Sequence, residues 1–150
     1  MIKKIDHIGI VVKSTEELVE VLSRLFGFRV TESLSFPEQG FKSTLISQEE
    51  VTIELIEPVG PTGIIQRFME KRGPGLHHIS LQVDNLEQEI KALKAKGVQL
   101  LGEEPRQVSE SSKIIFAHPS SVGGILVELA YREQPDSNKQ DSKNAGGKKI

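Results

Sequence analysis

The chain has 150 residues, with 19 Lys and Arg against 21 Asp and Glu, four His, and neither Cys nor Trp. A chain of this length buries roughly 70% of its unfolded surface as one globular domain, and a formal charge of -2 without a basic block excludes a dedicated nucleic-acid binder. The lack of Cys excludes disulfides, thiolate metal sites, iron–sulfur clusters and thiol nucleophiles.

No secretory leader is expected, because His7 and Lys13 interrupt the apolar stretch that follows the N-terminal charges. No apolar run approaches the roughly 18 residues of a membrane span, and a cytoplasmic location is expected. The first strand runs through Asp6-His7-Ile8-Gly9-Ile10-Val11-Val12. Ser14-Thr15-Glu16-Glu17 then caps a helix whose Leu18, Val21, Leu22, Leu25 and Phe26 share a face and which Gly27 ends. Strands are expected over 28–36, 41–47 and 52–55, and a short linker helix at about 61–72. The pattern then repeats. His77-His78-Ile79-Ser80-Leu81-Gln82-Val83 aligns with the first strand, His78 on His7 at an offset of 71. Asp84-Asn85-Leu86-Glu87 reads as a second helix start with Asp84 as the cap, leading into a face of Leu86, Ile90 and Leu93 that Gly97 closes. Strands follow over about 99–108 and 113–118, and Leu126-Val127-Glu128-Leu129 matches Thr52-Ile53-Glu54-Leu55 at an offset of 74.

The expected fold is therefore α+β: one domain over 1–132 made of two tandem βαβββ modules, at about 4–58 and 76–132. Two curved sheets would carry helices outside and enclose a metal-binding cleft. From 133 to 150 the chain is almost devoid of apolar residues and reads as a disordered polar tail.

Strand alternation sorts the repeated polar residues by face. Ile8, Ile10 and Val12 point towards the first helix, as Ile79, Leu81 and Val83 do towards the second. His7 and Glu54 from the first module, and His78 and Glu128 from the second, are left on the opposite face, together with Ser80. Mid-strand carboxylates among Val, Ile and Leu are costly to bury without a compensating cation, and no Lys or Arg is read at corresponding strand positions. Two imidazoles and two carboxylates suit one divalent metal ion with a position left for water or substrate. His77 falls on the other strand face and His118 precedes Pro119 at a strand end, so neither is read as a ligand. His118 remains a candidate lining residue.

The segments Ile5-Asp6-His7-Ile8-Gly9-Ile10-Val11-Val12, Pro37-Glu38-Gln39-Gly40, Ile53-Glu54-Leu55-Ile56-Glu57-Pro58, Gly75-Leu76-His77-His78-Ile79 and Ile115-Phe116-Ala117-His118-Pro119, with Gly123-Gly124 leading to Glu128, resemble the vicinal oxygen chelate superfamily and most closely its methylmalonyl-CoA epimerase branch. The resemblance covers about residues 4 to 132. It implies metal ligation by His7, Glu54, His78 and Glu128, a homodimer, and a malonyl-type thioester of coenzyme A as substrate. Cobalt, zinc, nickel and manganese all accept this donor set. One departure is visible: some epimerases carry a Glu, a proposed catalytic base, where this chain has Ser43.

Epimerisation removes a proton from one face of a carbon and returns one to the other, so two proton-handling groups are required. Glu128 is the first. The second is open between Glu54 and a water held by Ser43 or Gln39, and Gln39, Ser43, Ser80 and His118 are the candidate substrate contacts. Basic candidates for the phosphates are Lys42, Lys71, Arg72, Arg106 and Lys113. Alternative readings are a lactoylglutathione lyase of glyoxalase I type and a metal-free small-molecule binding or resistance protein of the same fold. An extradiol dioxygenase fits less well, since its iron takes two His and one carboxylate.

Overall fold

A computed structural model describes residues 1–133. The expected tail, apart from Glu133, lies outside the described residues.

Eight strands and three α-helices follow in the order β1 (Ile2–Val11), α1 (Thr15–Phe26), β2 (Arg29–Phe36), β3 (Phe41–Gln48), β4 (Val51–Pro58), α2 (Ile64–Arg72), β5 (Gly75–Val83), α3 (Leu86–Ala95), β6 (Leu100–Ser109), β7 (Ser112–Ala117) and β8 (Val127–Arg132). They form one mixed sheet in the order β2-β3-β4-β1-β5-β8-β7-β6. Within each half the first and last strands pair in parallel, β1 with β4 and β5 with β8. The two sheets expected from the repeat are thus a single curled one, because β1 and β5 pair antiparallel along the middle and join the halves edge to edge. Alternation along a strand fixes its faces but not which edges meet, so this join was not readable from the repeat.

Helices α1 and α3 cover the convex side, whereas α2 packs through Ile65 with Val11, Phe41 and Ile56 at the edge of the cleft. Leu18, Val19 and Leu22 of α1 pack with Ile10, Val12, Ile46, Ile53 and Leu55, while Leu86, Ile90 and Leu93 of α3 pack with Leu81, Val83, Ile115 and Leu129. The apolar face expected for α1 is only half used: Leu25 and Phe26 stay 56% and 61% exposed. The sheet surface takes the i, i+4 stripe through Leu18 and Leu22 and leaves the flank in water. Ser14 caps α1 by accepting from the Glu17 N–H, and Gly27 ends it at φ 74°, a left-handed conformation natural to glycine. At α3 the cap is Asn85, whose Oδ1 accepts from the Gln88 N–H at 2.9 Å, and not Asp84. Asp84 instead pairs with the N-terminal ammonium and with Lys3.

The cap assignment is testable. Asn85→Ala should lower stability in urea denaturation by about 1 kcal/mol, whereas Asp84→Ala should leave the helical signal in circular dichroism unchanged.

Candidate metal centre

Buried polar residues concentrate on the concave face: His7, Ser43, His78, Ser80, Ser112 and Glu128 are all 5% exposed or less. The middle strands bring His7, Glu54, His78 and Glu128 together there, one from each of β1, β4, β5 and β8. His7 Nε2 lies 3.0 Å from His78 Nε2, and both nitrogens lie 3.3 Å from Glu54 Oε2. Glu128 Oε1 is 3.7 Å from His7 Nε2. Donors held about 2.1 Å from one ion at angles between octahedral and tetrahedral stand about 3.0 to 3.4 Å apart. The triad of His7, Glu54 and His78 has that spacing and could hold a divalent metal; all its donor atoms lie within 4.8 Å of one another. Glu128 closes the fourth side.

Each of the four has a second partner, and for His7, His78 and Glu54 that partner leaves the other polar atom of the side chain facing the cluster. His7 Nδ1 donates to Asp6 Oδ2 at 2.8 Å, which fixes the ring with Nε2 directed into the cluster. Asp6 in turn receives three hydrogen bonds of 2.8 to 3.0 Å from the Arg132 guanidinium. His78 Nδ1 stands 3.0 Å from His77 Nδ1. If Nε2 of His78 is the free donor, its Nδ1 carries the proton and His77 accepts. Ser43 Oγ donates to Glu54 Oε1 at 2.5 Å, and Ser80 Oγ donates to Glu128 Oε1 at 2.8 Å.

Asp6 and His77 reach these positions through bulges. Ile5 pairs with Leu81 and His7 with Ser80, leaving Asp6 as an extra residue on β1; Gly9 pairs with His78 and Ile10 with Leu76, leaving His77 extra on β5. A bulge re-aims a side chain that strict alternation would send to the other face. This corrects the expectation for His77, whose ring packs on His78 and on Phe68 of α2 and lines the metal-facing cavity. It also corrects the reading that no cation occupies these strands, since Arg132 lies on the cleft side of β8 and lines the same cavity. The two bulged residues are the repeat's own counterparts, each standing just before its histidine. Gly9 is required by the same seam: a Cβ there would lie 2.2 Å from the His78 ring.

The electrostatics follow from burial plus neighbours. For His7, burial disfavours the charge, but hydrogen bonds to Asp6 and Glu54 outweigh it and raise the imidazole to about 9. Burial also opposes ionisation of Glu54, yet His7, His78 and Ser43 hold it down at about 2. His78 is lowered to about 4 by burial and by the charge of His7, against the pull of Glu54. Burial, opposed by His7 and reinforced by Glu54, pushes the Glu128 carboxyl up to about 7. Despite its burial, Asp6 is held well below the usual carboxylate range by His7 and Arg132. Protons thus balance part of the cluster's charge.

The remaining expected contacts divide. Ser43 lines the cavity, while the fully buried Ser80 supports Glu128 from behind. Gln39 is exposed and accepts from Arg106 at 2.8 Å, away from the donor cluster. His118 caps a short 3-10 turn by accepting from the Ser120 N–H at 3.1 Å. Asp6, Arg132 and Glu32 also belong to the site and were not read from the sequence; only the His-His pair gave a signal for His77.

Known proteins share this fold. The family model of the glyoxalase/bleomycin resistance protein/dioxygenase superfamily matches residues 6–116, and the chain belongs to that superfamily. It is 32% identical over 129 residues to the mitochondrial methylmalonyl-CoA epimerase of Dictyostelium discoideum, spanning 85% of this chain and 78% of that protein. The crystal structure of methylmalonyl-CoA epimerase from Mycobacterium tuberculosis superposes with a TM-score of 0.82 at 28% identity, over 89% of this chain and 90% of that one. A variant of the Streptomyces coelicolor methylmalonyl-CoA epimerase in complex with 2-nitronate-propionyl-CoA superposes with a TM-score of 0.81 at 28% identity, over 89% and 100%.

The supporting partners can be tested by calorimetric titration with cobalt(II). Asp6→Ala and His77→Phe should each weaken binding about 10- to 100-fold. His77→Asn, which keeps an acceptor at the Nδ1 position, should stay near the parent value.

Proposed function

We propose that this chain is a metal-dependent epimerase that interconverts the two forms of methylmalonyl-CoA. The observation that carries the reading is the buried cluster of two imidazoles and two carboxylates, in a chain whose relatives include methylmalonyl-CoA epimerases. His7, Glu54, His78 and Glu128 would hold one divalent ion, of cobalt, zinc, nickel or manganese. When bound, that ion supplies Lewis-acid stabilisation of negative charge on the thioester oxygen.

The chain's own residues handle the proton. Glu128 lies beside Phe116 and Ala130 with Oε1 held by Ser80, which leaves Oε2 as the oxygen that takes and returns the proton. Ser43, where some epimerases carry Glu, is committed to Glu54 and offers no base. Glu54 is itself held by the two imidazoles and Ser43. Gln39 stands outside the cavity lining. Among the described residues the third carboxylate lining that cavity is Glu32 of β2, on the arm of the curled sheet away from β8. Glu32 is therefore assigned the second face of the planar carbon. Leu34, Phe36, Leu45, Ile56 and Ile114 line the space between and exclude water from it.

The same reading includes a homodimer, which sedimentation equilibrium tests, and a cytoplasmic location. No helix among the described residues is long and apolar enough to cross a membrane.

Deuterium incorporation at the α-carbon of methylmalonyl-CoA, measured from each epimer separately in heavy water, checks the assignment. Chelation with EDTA should abolish turnover, and cobalt(II) should restore it. Glu128→Gln should lose epimerisation by about 10²- to 10⁴-fold, with cobalt affinity falling far less. Glu32→Gln should keep exchange from one epimer and lose it from the other. Full epimerisation by Glu32→Gln would assign the second face elsewhere. Turnover of the methylglyoxal–glutathione adduct in place of methylmalonyl-CoA would move the chain to the lyase reading.

A further inference from the structure

A second cavity adjoins the metal-facing one, with His77 lining both. It is the larger, about 290 Å³ against about 90 Å³, and it lies between α2 and the segment that leads into β8. Arg67, Lys71 and Arg72 line it with Ile64, Phe68 and Leu126, and no acidic residue does. Arg72 rests its guanidinium 5.7 Å from the Phe68 ring centre, and Phe68 packs edge-on against His77 at 5.0 Å. The helix, the cation and the histidine are therefore one continuous wall.

The other basic candidates, and Arg132, are engaged by other side chains or stand among acids. Lys42 pairs with Glu57 at 3.2 Å, Arg106 donates to Gln39, Arg132 is taken by Asp6, and Lys113 lines a groove that also holds Asp84, Glu87, Glu103 and Glu104. Among the described residues Arg67, Lys71 and Arg72 have no carboxylate partner within salt-bridge distance. Lys71 and Arg72 stand in the last turn of α2, where cations favour the helix dipole. Arg67 has no such reason. It stands four residues before Lys71, an i, i+4 like-charge pair that costs stability unless an anion sits between the two.

Resting on the acyl-CoA reading above, we propose that this second cavity binds the phosphate groups of the coenzyme A ester, with Arg67 and Lys71 as the principal contacts. The small acyl end then occupies the metal-facing cleft, and the phosphorylated end leaves past His77 along α2. Charge-assisted hydrogen bonds to phosphate supply local attraction that a chain of net charge -2 does not provide as a whole.

The test uses the full chain carrying Arg67→Gln and Lys71→Gln together, and two substrates: methylmalonyl-CoA and the methylmalonyl thioester of pantetheine, which has no phosphate. The preference for the CoA ester, as a ratio of kcat/KM values, should fall about tenfold in the double variant. An unchanged ratio, or a parent enzyme that shows no preference, overturns the proposal. Adenosine 3′,5′-bisphosphate, titrated calorimetrically, reads the same site without turnover: the parent should bind it and the variant about tenfold more weakly. Absence of binding by the parent, or equal binding by both, overturns the proposal as well. Should the parent turn over neither thioester yet bind the bisphosphate through these two residues, the epimerase reading fails and the phosphate site stands.

Discussion

The antiparallel seam between β1 and β5 supports everything else in the molecule. It joins the two halves into one sheet, and it brings His7 and His78 within 3.0 Å of each other across the middle of that sheet. The parallel neighbours β4 and β8 then add one carboxylate from either side. A seam of this kind is rigid because each strand in it is paired on both edges. Its side chains are therefore fixed by backbone register, more firmly than any loop could fix them.

Burying so many ionisable groups in one place is expensive, and the structure shows how the cost is contained. Every donor group has a partner behind it: Asp6 for His7, His77 for His78, Ser43 for Glu54, Ser80 for Glu128. Asp6 would itself be a buried charge, 6% exposed, were it not gripped by Arg132 from β8. The last described strand of the second half thus stabilises the first histidine of the first half. Removing one member of such a network leaves another uncompensated, which makes the site a cooperative unit.

Much of this was legible in the sequence. The repeat placed His on His and Glu on Glu, alternation put all four on one face, and the capping pattern marked the start of α1 at Ser14. What failed did so for identifiable reasons. Period-2 alternation assumes an unbroken ladder, and the bulges at Asp6 and His77 insert a residue with no compositional mark. Two adjacent cap-competent residues, Asp84 and Asn85, are indistinguishable by type; the N-terminal ammonium claims the first and leaves the second to the helix. The apolar stripe of α1 is wider than the surface that receives it, so periodicity overstated its burial at Leu25 and Phe26. Arg132 is one charge in a sequence full of them, and its partner lies 126 residues away.

The support of the two carboxylates breaks the internal symmetry. By register Gly9 stands beside Glu54 as Ser80 stands beside Glu128, and Ser43 stands opposite Ile56 as Ile114 stands opposite Ala130. A serine at position 9 would collide with His78, so Glu54 takes its hydroxyl from the neighbouring strand on its other side. The position equivalent to Ser43 is Ile114, which carries no hydroxyl, so Glu128 depends on Ser80 from the seam strand while Glu54 depends on Ser43 from the outer one. A duplicated ancestor with equal halves would have reached this arrangement by changes at two pairs of positions, 9 with 80 and 43 with 114, after which neither half could stand in for the other.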